Sequence, residues 1–165
     1  MELKGSKTEK NLMDAFAGES MARNKYTYYA SKAKKEGYNI IADKFEQTAN
    51  NEKEHAKLFY KQIPDSKHFQ VNGTYPFSYG DTYSNLIAAA SGEREEWEIL
   101  YKEAAQIAKD EGFDEISRLF ANIVEIEKRH SHRFETLAGL LKEGALFKKE
   151  EVTPVSYTHL TLPTT

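Results

Sequence analysis

The sequence contains no cysteine. That excludes disulfides, thiolate-bound zinc, iron–sulfur clusters and a thiol nucleophile, so any metal must be held by oxygen and nitrogen donors. Proline is scarce, with four residues, and glycine numbers only nine; so few chain breakers suit long helices better than many short strands. No apolar run approaches the roughly 18 residues of a membrane span, and the opening MELKGSKTEK lacks the apolar centre of a secretory signal. A cytoplasmic protein is expected. Blocks of one charge are also missing: the net charge of −3 comes from interspersed signs, without the basic footprint of a nucleic-acid binder. The 165 residues are enough for one domain with one core.

What is present is helical periodicity. Ser6 and Glu9 have capping-box spacing, and Leu12, Ala15, Phe16, Ala22, Tyr26, Tyr29 and Ala33 recur at three-and-four intervals. The first helix is predicted over about 7–36. Ile41, Phe45, Thr48, Glu52, His55 and Phe59 form a second stripe, stopped by Pro64, which predicts a helix over about 40–63. Residues 64–81 carry no helical period and read as one long crossover, with Asp81 placed to cap the next helix. That third helix, over about 82–111, carries Leu86, Ala89, Ala90, Glu93, Glu96, Trp97, Leu100, Tyr101 and Ala104. The fourth, about 114–142, carries Ile116, Phe120, Ile123, Glu127, His130, Phe134, Leu137 and Leu141 and closes at Gly144. Four helices with one crossover in the middle predict an all-α, ferritin-like bundle.

An internal repeat supports this organisation. Aligning EGYNIIADKFEQTANNEKEH with EGFDEISRLFANIVEIEKRH pairs Gly37 with Gly112, Phe45 with Phe120, Glu52 with Glu127 and His55 with His130, each 75 residues apart. Between the first and third helices the offset changes: Glu19 precedes Glu93 by 74 residues, whereas Tyr26 precedes Tyr101 by 75. One residue is therefore extra in the third helix, and a π-bulge beside Glu96 would absorb it.

Every predicted helix places glutamate on the stripe that faces the core: Glu19, Glu52, Glu93 with Glu96, and Glu127. Burying several carboxylates without compensation costs several kcal/mol each, and metal cations supply that compensation. One Glu-x-x-His in a Glu-rich helix is commonly a solvated edge. Two copies at a fixed offset, each with a matching Glu on a neighbouring helix, form the pattern of di-iron and di-manganese bundles. The metal set this pattern predicts is Glu19, Glu52, His55, Glu93, Glu127 and His130, with iron as the expected occupant and manganese as one the same donors would accept. Tyr26 and Tyr101, about two turns beyond Glu19 and Glu93, are expected to hydrogen-bond ligand carboxylates. Glu54, Glu95, Glu98 and Glu125 fall off the stripe, Trp97 is read as packing, and His68 and His132 as surface histidines.

The stretches LKGSKTEKNLMDAFAGESMARNKYTYYASKAKKEG, NNEKEHAK, NLIAAASGEREEW and EIEKRHSHRF resemble the rubrerythrin family over roughly residues 3–148. The resemblance implies that Glu19, Glu52, His55, Glu93, Glu127 and His130 ligate two irons. It makes Glu96 the extra carboxylate of the family, exchanging with His55 at one iron as the redox state changes. It further implies peroxide reduction to water in oxidative-stress defence, with Glu96 at the reaction centre, and a homodimer; Tyr26 and Tyr101, placed beside the ligands by helical phase, are expected there too. Iron oxidation and storage of the ferritin type is the alternative activity, and a metal-free structural bundle a third reading.

Members of that family usually continue into a small rubredoxin-like domain that binds iron through four cysteines, and this sequence has none. An external electron donor such as rubredoxin is therefore expected. The final VSYTHLTLPTT has no helical period or charge and resembles translated sequencing-adaptor read-through. Residues 1–148 are accordingly read as the di-iron domain and 149–165 as a disordered tail, non-native from about residue 155.

Overall fold

The computed structural model describes residues 2–64, 70–71 and 73–146; His68 and the expected tail lie outside them. The elements are α1 (Lys7–Lys35), α2 (Asn39–Tyr60), α3 (Thr82–Glu95), a π-turn (Glu96–Leu100), α4 (Tyr101–Asp110) and α5 (Asp114–Lys142). No strand occurs among the described residues. The third predicted helix is thus α3, the π-turn and α4 in succession. The extra residue is absorbed where the offset changes: the Tyr101 N–H donates to the Glu96 carbonyl, a five-residue step in place of four.

The ends of the helices obey local rules. Ser6 Oγ accepts from the Glu9 N–H at 3.0 Å, and Glu9 reaches back to the Gly5 N–H rather than that of Ser6. Asp81 caps α3 by accepting from the Ser84 N–H at 2.7 Å. Gly37 and Gly112 take φ of 87° and 85°, the left-handed conformation that lets Tyr38 and Phe113 donate back to the carbonyls of Ala33 and Ala108. Helix α2 ends at Tyr60, three residues before the expected end. Gln62 and Ile63 donate to Phe59 and Tyr60 in tighter three-residue steps, because the residue before Pro64 is excluded from continuing an α-helix.

Helices α1 and α2 form one hairpin and α3 to α5 the other. Each hairpin caps its counterpart. Glu111 accepts from the N–H and hydroxyl of Thr8 at 2.9 and 2.6 Å, and Glu36 accepts from those of Thr82 at the same two distances. These are equivalent positions in the repeat. The core divides into two apolar clusters. One contains Tyr26, Phe45, Leu86 and Phe134, with the two Phe centroids 5.0 Å apart. The other contains Leu12, Phe59, Tyr101 and Phe120, with its Phe pair at 4.9 Å. The repeat converts one Phe pair into the other. Each fully buried Phe stabilises the bundle by about 1.5–3 kcal/mol, and truncating Phe134 to alanine would cost about 3–5 kcal/mol. Along all four long arms the glutamates and histidines fall between these clusters, so apolar packing clamps a polar layer from both sides.

Candidate metal centre

That layer consists of Glu19 from α1, Glu52 and His55 from α2, Glu93 from α3, and Glu127 and His130 from α5, none more than 4 % exposed. Helical phase puts them there, because an i, i+3 pair such as Glu52–His55 shares one face. Nδ1 of His55 lies 2.7 Å from Glu127 Oε1, 2.9 Å from Glu52 Oε2 and 3.8 Å from Glu19 Oε2. Nδ1 of His130 lies 2.7 Å from Glu127 Oε2, 3.2 Å from Glu52 Oε1 and 3.4 Å from Glu93 Oε2. Each imidazole nitrogen thus faces three carboxylates. Two four-donor sets result, Glu19–Glu52–His55–Glu127 and Glu52–Glu93–Glu127–His130, with the donors of each set within 4.8 Å of one another. Glu52 and Glu127 belong to both.

Apart from the hydrogen bond between His130 Nδ1 and Glu127 Oε2, the donors converge without satisfying one another. Glu19 Oε2, both Glu52 oxygens, Glu93 Oε2, Glu127 Oε1 and His55 Nδ1 are buried and lack a hydrogen-bond partner; several contacts are short, but their angles are not those of hydrogen bonds. Buried polar atoms in native proteins are almost always paired. A cation in each set would satisfy these orphans together, so the residues present fit a pair of metal ions. Oxygen and imidazole donors without sulfur suit iron or manganese.

The electrostatics show the strain of so many carboxylates in one place. Burial pushes the Glu19 carboxyl well above its ordinary range, with Glu127 and Glu52 adding repulsion against the relief from His55. Burial also raises Glu93, reinforced by Glu52 and Glu127. Burial would lower the His130 imidazole, but Glu127, Glu52 and Glu93 outweigh it and hold the ring up at about 12. His55 is raised by Glu127, Glu19 and Glu52 against the same penalty. For Glu127 burial works upward, yet the facing imidazoles of His130 and His55 hold it down at about 2. Without a cation, the layer can exist only by storing protons on its other members.

Glu96 is in neither four-donor set. It sits at the start of the π-turn, half-buried, and its carboxyl is raised by desolvation and then by the charges of Glu93 and Glu19. It lines a cavity of about 940 Å³ that also touches Gly18, Lys25, Tyr26, Tyr75 and Tyr101. Both tyrosines donate to carboxylates of the two donor sets, and each reaches into the opposite hairpin. The Tyr101 hydroxyl donates to Glu19 Oε1 at 2.7 Å, and that of Tyr26 donates to Glu93 Oε1. Burial followed by the facing carboxylate raises both phenols, which keeps their protons in place. Trp97 packs half-buried, with Lys102 and Lys128 over its ring at 4.9 and 5.6 Å. Glu54, Glu95, Glu98, Glu125 and His132 are exposed.

One polar contact is not foreshadowed by helical phase. The Asn51 carboxamide meets Nε2 of His130 at 3.0 Å. In the repeat Asn51 aligns with Ile126, so the contact has no polar counterpart in the other half.

Comparison with known proteins agrees with this architecture. The chain is 49 % identical over 154 residues to rubrerythrin-1 of Clostridium acetobutylicum, covering 91 % of this chain and 79 % of that protein. It is 45 % identical over 152 residues to rubrerythrin of Nitratidesulfovibrio vulgaris, covering 92 % and 79 %. The solved structure of mixed-valence nigerythrin superposes with a TM-score of 0.72 at 31 % identity, over 84 % of this chain and 72 % of that one. A Desulfovibrio desulfuricans bacterioferritin shares the fold, with a TM-score of 0.73 at 23 % identity over 83 % and 81 % of the two chains. A family model described as rubrerythrin matches residues 10–138, and the chain belongs to the rubrerythrin family.

Proposed function

We propose that this protein is a di-iron oxidoreductase of oxidative-stress defence that reduces hydrogen peroxide to water with electrons from an external, rubredoxin-like donor. The observation that carries the reading is the convergence of buried, unpartnered donors into two sets sharing Glu52 and Glu127. Glu19 and His55 would complete one iron site, and Glu93 and His130 the other. Two irons cycling between the ferrous and ferric states supply the two electrons that cleave one O–O bond.

The remaining work falls to protons and charge. One peroxide, two electrons and two protons give two waters. Glu96 faces the cavity through which a small substrate would arrive, and burial with the nearby carboxylates raises its carboxyl, favouring the form that carries a proton. It donates that proton to the departing oxygen as the bond breaks. As an additional donor, the Glu96 carboxylate would balance the charge gained when the metal pair is oxidised. Tyr26 and Tyr101 hold Glu93 and Glu19 in fixed orientations through their hydroxyls and limit how basic those carboxylates become. By family kinship we place the protein in the cytoplasm as a homodimer. No described helix is long and apolar enough to cross a membrane.

The test is metal analysis of anaerobically purified protein, then rapid mixing of the reduced form with peroxide or oxygen. About two irons per chain, oxidised faster by peroxide than by oxygen, is the expected result. Faster reaction with oxygen would assign the site to ferritin-type iron oxidation, and manganese as occupant would assign it to another redox chemistry.

A further inference from the structure

The two histidines face the carboxylate layer alike but differ on their outer side. His130 Nε2 has the Asn51 carboxamide at 3.0 Å, with Nδ2 toward the ring, whereas no hydrogen bond from His55 Nε2 is found among the described residues. The difference is written in the repeat. His55 and His130 are equivalent, as are Glu52 and Glu127, so the position that answers Asn51 for His55 is 126, which is isoleucine. An aliphatic side chain cannot hydrogen-bond an imidazole.

We infer that Asn51 is a positioning residue that fixes the tautomer and orientation of His130, and that Ile126 leaves His55 without such a hold, making the two metal positions unequal. The inference rests on the proposed metal centre. A cation that takes the Nδ1 lone pair of His130 leaves the imidazole hydrogen on Nε2, so the Asn51 group facing the ring must be its oxygen. That arrangement is reached from the observed one, in which Nδ2 faces the ring, by a half-turn of the carboxamide that exchanges its oxygen and nitrogen, and Asn51 is exposed on α2. A hydrogen bond of this kind keeps the ring from rotating and raises its basicity as a ligand.

The experiment uses Co(II) alone as the probe, titrated into the full chain under anaerobic conditions. Ligand imidazole N–H protons then appear as strongly shifted, solvent-exchangeable NMR signals. The wild-type chain should bind two Co(II) and show one slowly and one rapidly exchanging N–H. In Asn51→Leu the slow signal should exchange about tenfold faster, and one Co(II) should bind about tenfold more weakly. Asn51→Asp, of the same shape but able only to accept, should keep the slow signal. If Asn51→Leu binds both ions as wild type does, with its slow signal unchanged, the inference falls and the metal centre stands. If Asn51→Asp loses the signal as Asn51→Leu does, Asn51 is not the acceptor and the inference also falls. A wild-type chain that takes up no Co(II) would overturn the metal centre itself.

Discussion

Residues 7–60 and 82–142 are two versions of one helical hairpin, and the protein is most informative where they disagree. Their agreement builds the cage: Glu19 answers Glu93, Glu52 answers Glu127, His55 answers His130, and Tyr26 answers Tyr101. The disagreements that bear on the cage lie around it. Helix α1 runs unbroken past Ala22, which is buried, while the second half has Glu96 in the corresponding place on a π-turn. Asn51 is matched by Ile126. Symmetry thus supplies a place for two cations, and the departures from symmetry supply what one side can do and the other cannot.

The most severe way to break the comparison is to remove a carboxylate that both halves use. Glu127→Ala should lose both metals, by more than the roughly 10–100-fold that outer hydrogen-bond partners contribute. Glu19→Ala should lose only one, and metal analysis of the two purified variants separates these outcomes. Next in size, Glu96→Ala makes the second half resemble the first. It should retain iron yet oxidise with peroxide on the order of 10²-fold more slowly in stopped flow, the scale of misplacing one reacting group; unchanged turnover would remove Glu96 from the reaction.

A third prediction concerns pH. Glu19, Glu93 and Glu96 have folded-state pKa values raised above the ordinary 4.5. The metal-free folded chain therefore binds more protons than the unfolded one, and its stability falls as pH rises from about 4.5 toward those raised values. The histidines, also raised, act in the same direction above their ordinary 6.5. Melting monitored by circular dichroism should show the metal-free midpoint dropping from about pH 5 to about pH 8, by about 2–4 °C for each kcal/mol lost. The metal-loaded chain should lose much less over that range.

The smallest effect sharpens the symmetry. Thr8→Val and Thr82→Val each remove a hydroxyl bond to a capping glutamate from the opposite hairpin. Each should cost about 1 kcal/mol. Because the two positions are equivalent and far apart, the costs should be equal and additive in the double variant, as read from denaturant midpoints.

Much of this is legible in the sequence because helical phase and the repeat are both local counting rules. Glu52, His55, Glu127 and His130 declare themselves by spacing, and the change of offset between Glu19/Glu93 and Tyr26/Tyr101 locates the π-turn. Legibility stops where two helices must be brought together. Asn51 lies on the outer side of α2 and reads as a solvated polar residue until α5 delivers His130 Nε2 to it. The reciprocal caps by Glu36 and Glu111 depend in the same way on how the hairpins dock. The early end of α2 reflects a local effect of Pro64 that hydrophobic periodicity does not register.

Both four-donor sets draw on both hairpins, which has a consequence for the order of assembly. Packing within each hairpin joins neighbours in sequence, and such contacts form quickly because little loop entropy opposes them. The cage requires residues 19 and 127, and 52 and 130, to meet across 108 and 78 residues of sequence. It can close only after the hairpins have docked, and a metal arriving then acts as the clasp on a nearly finished fold.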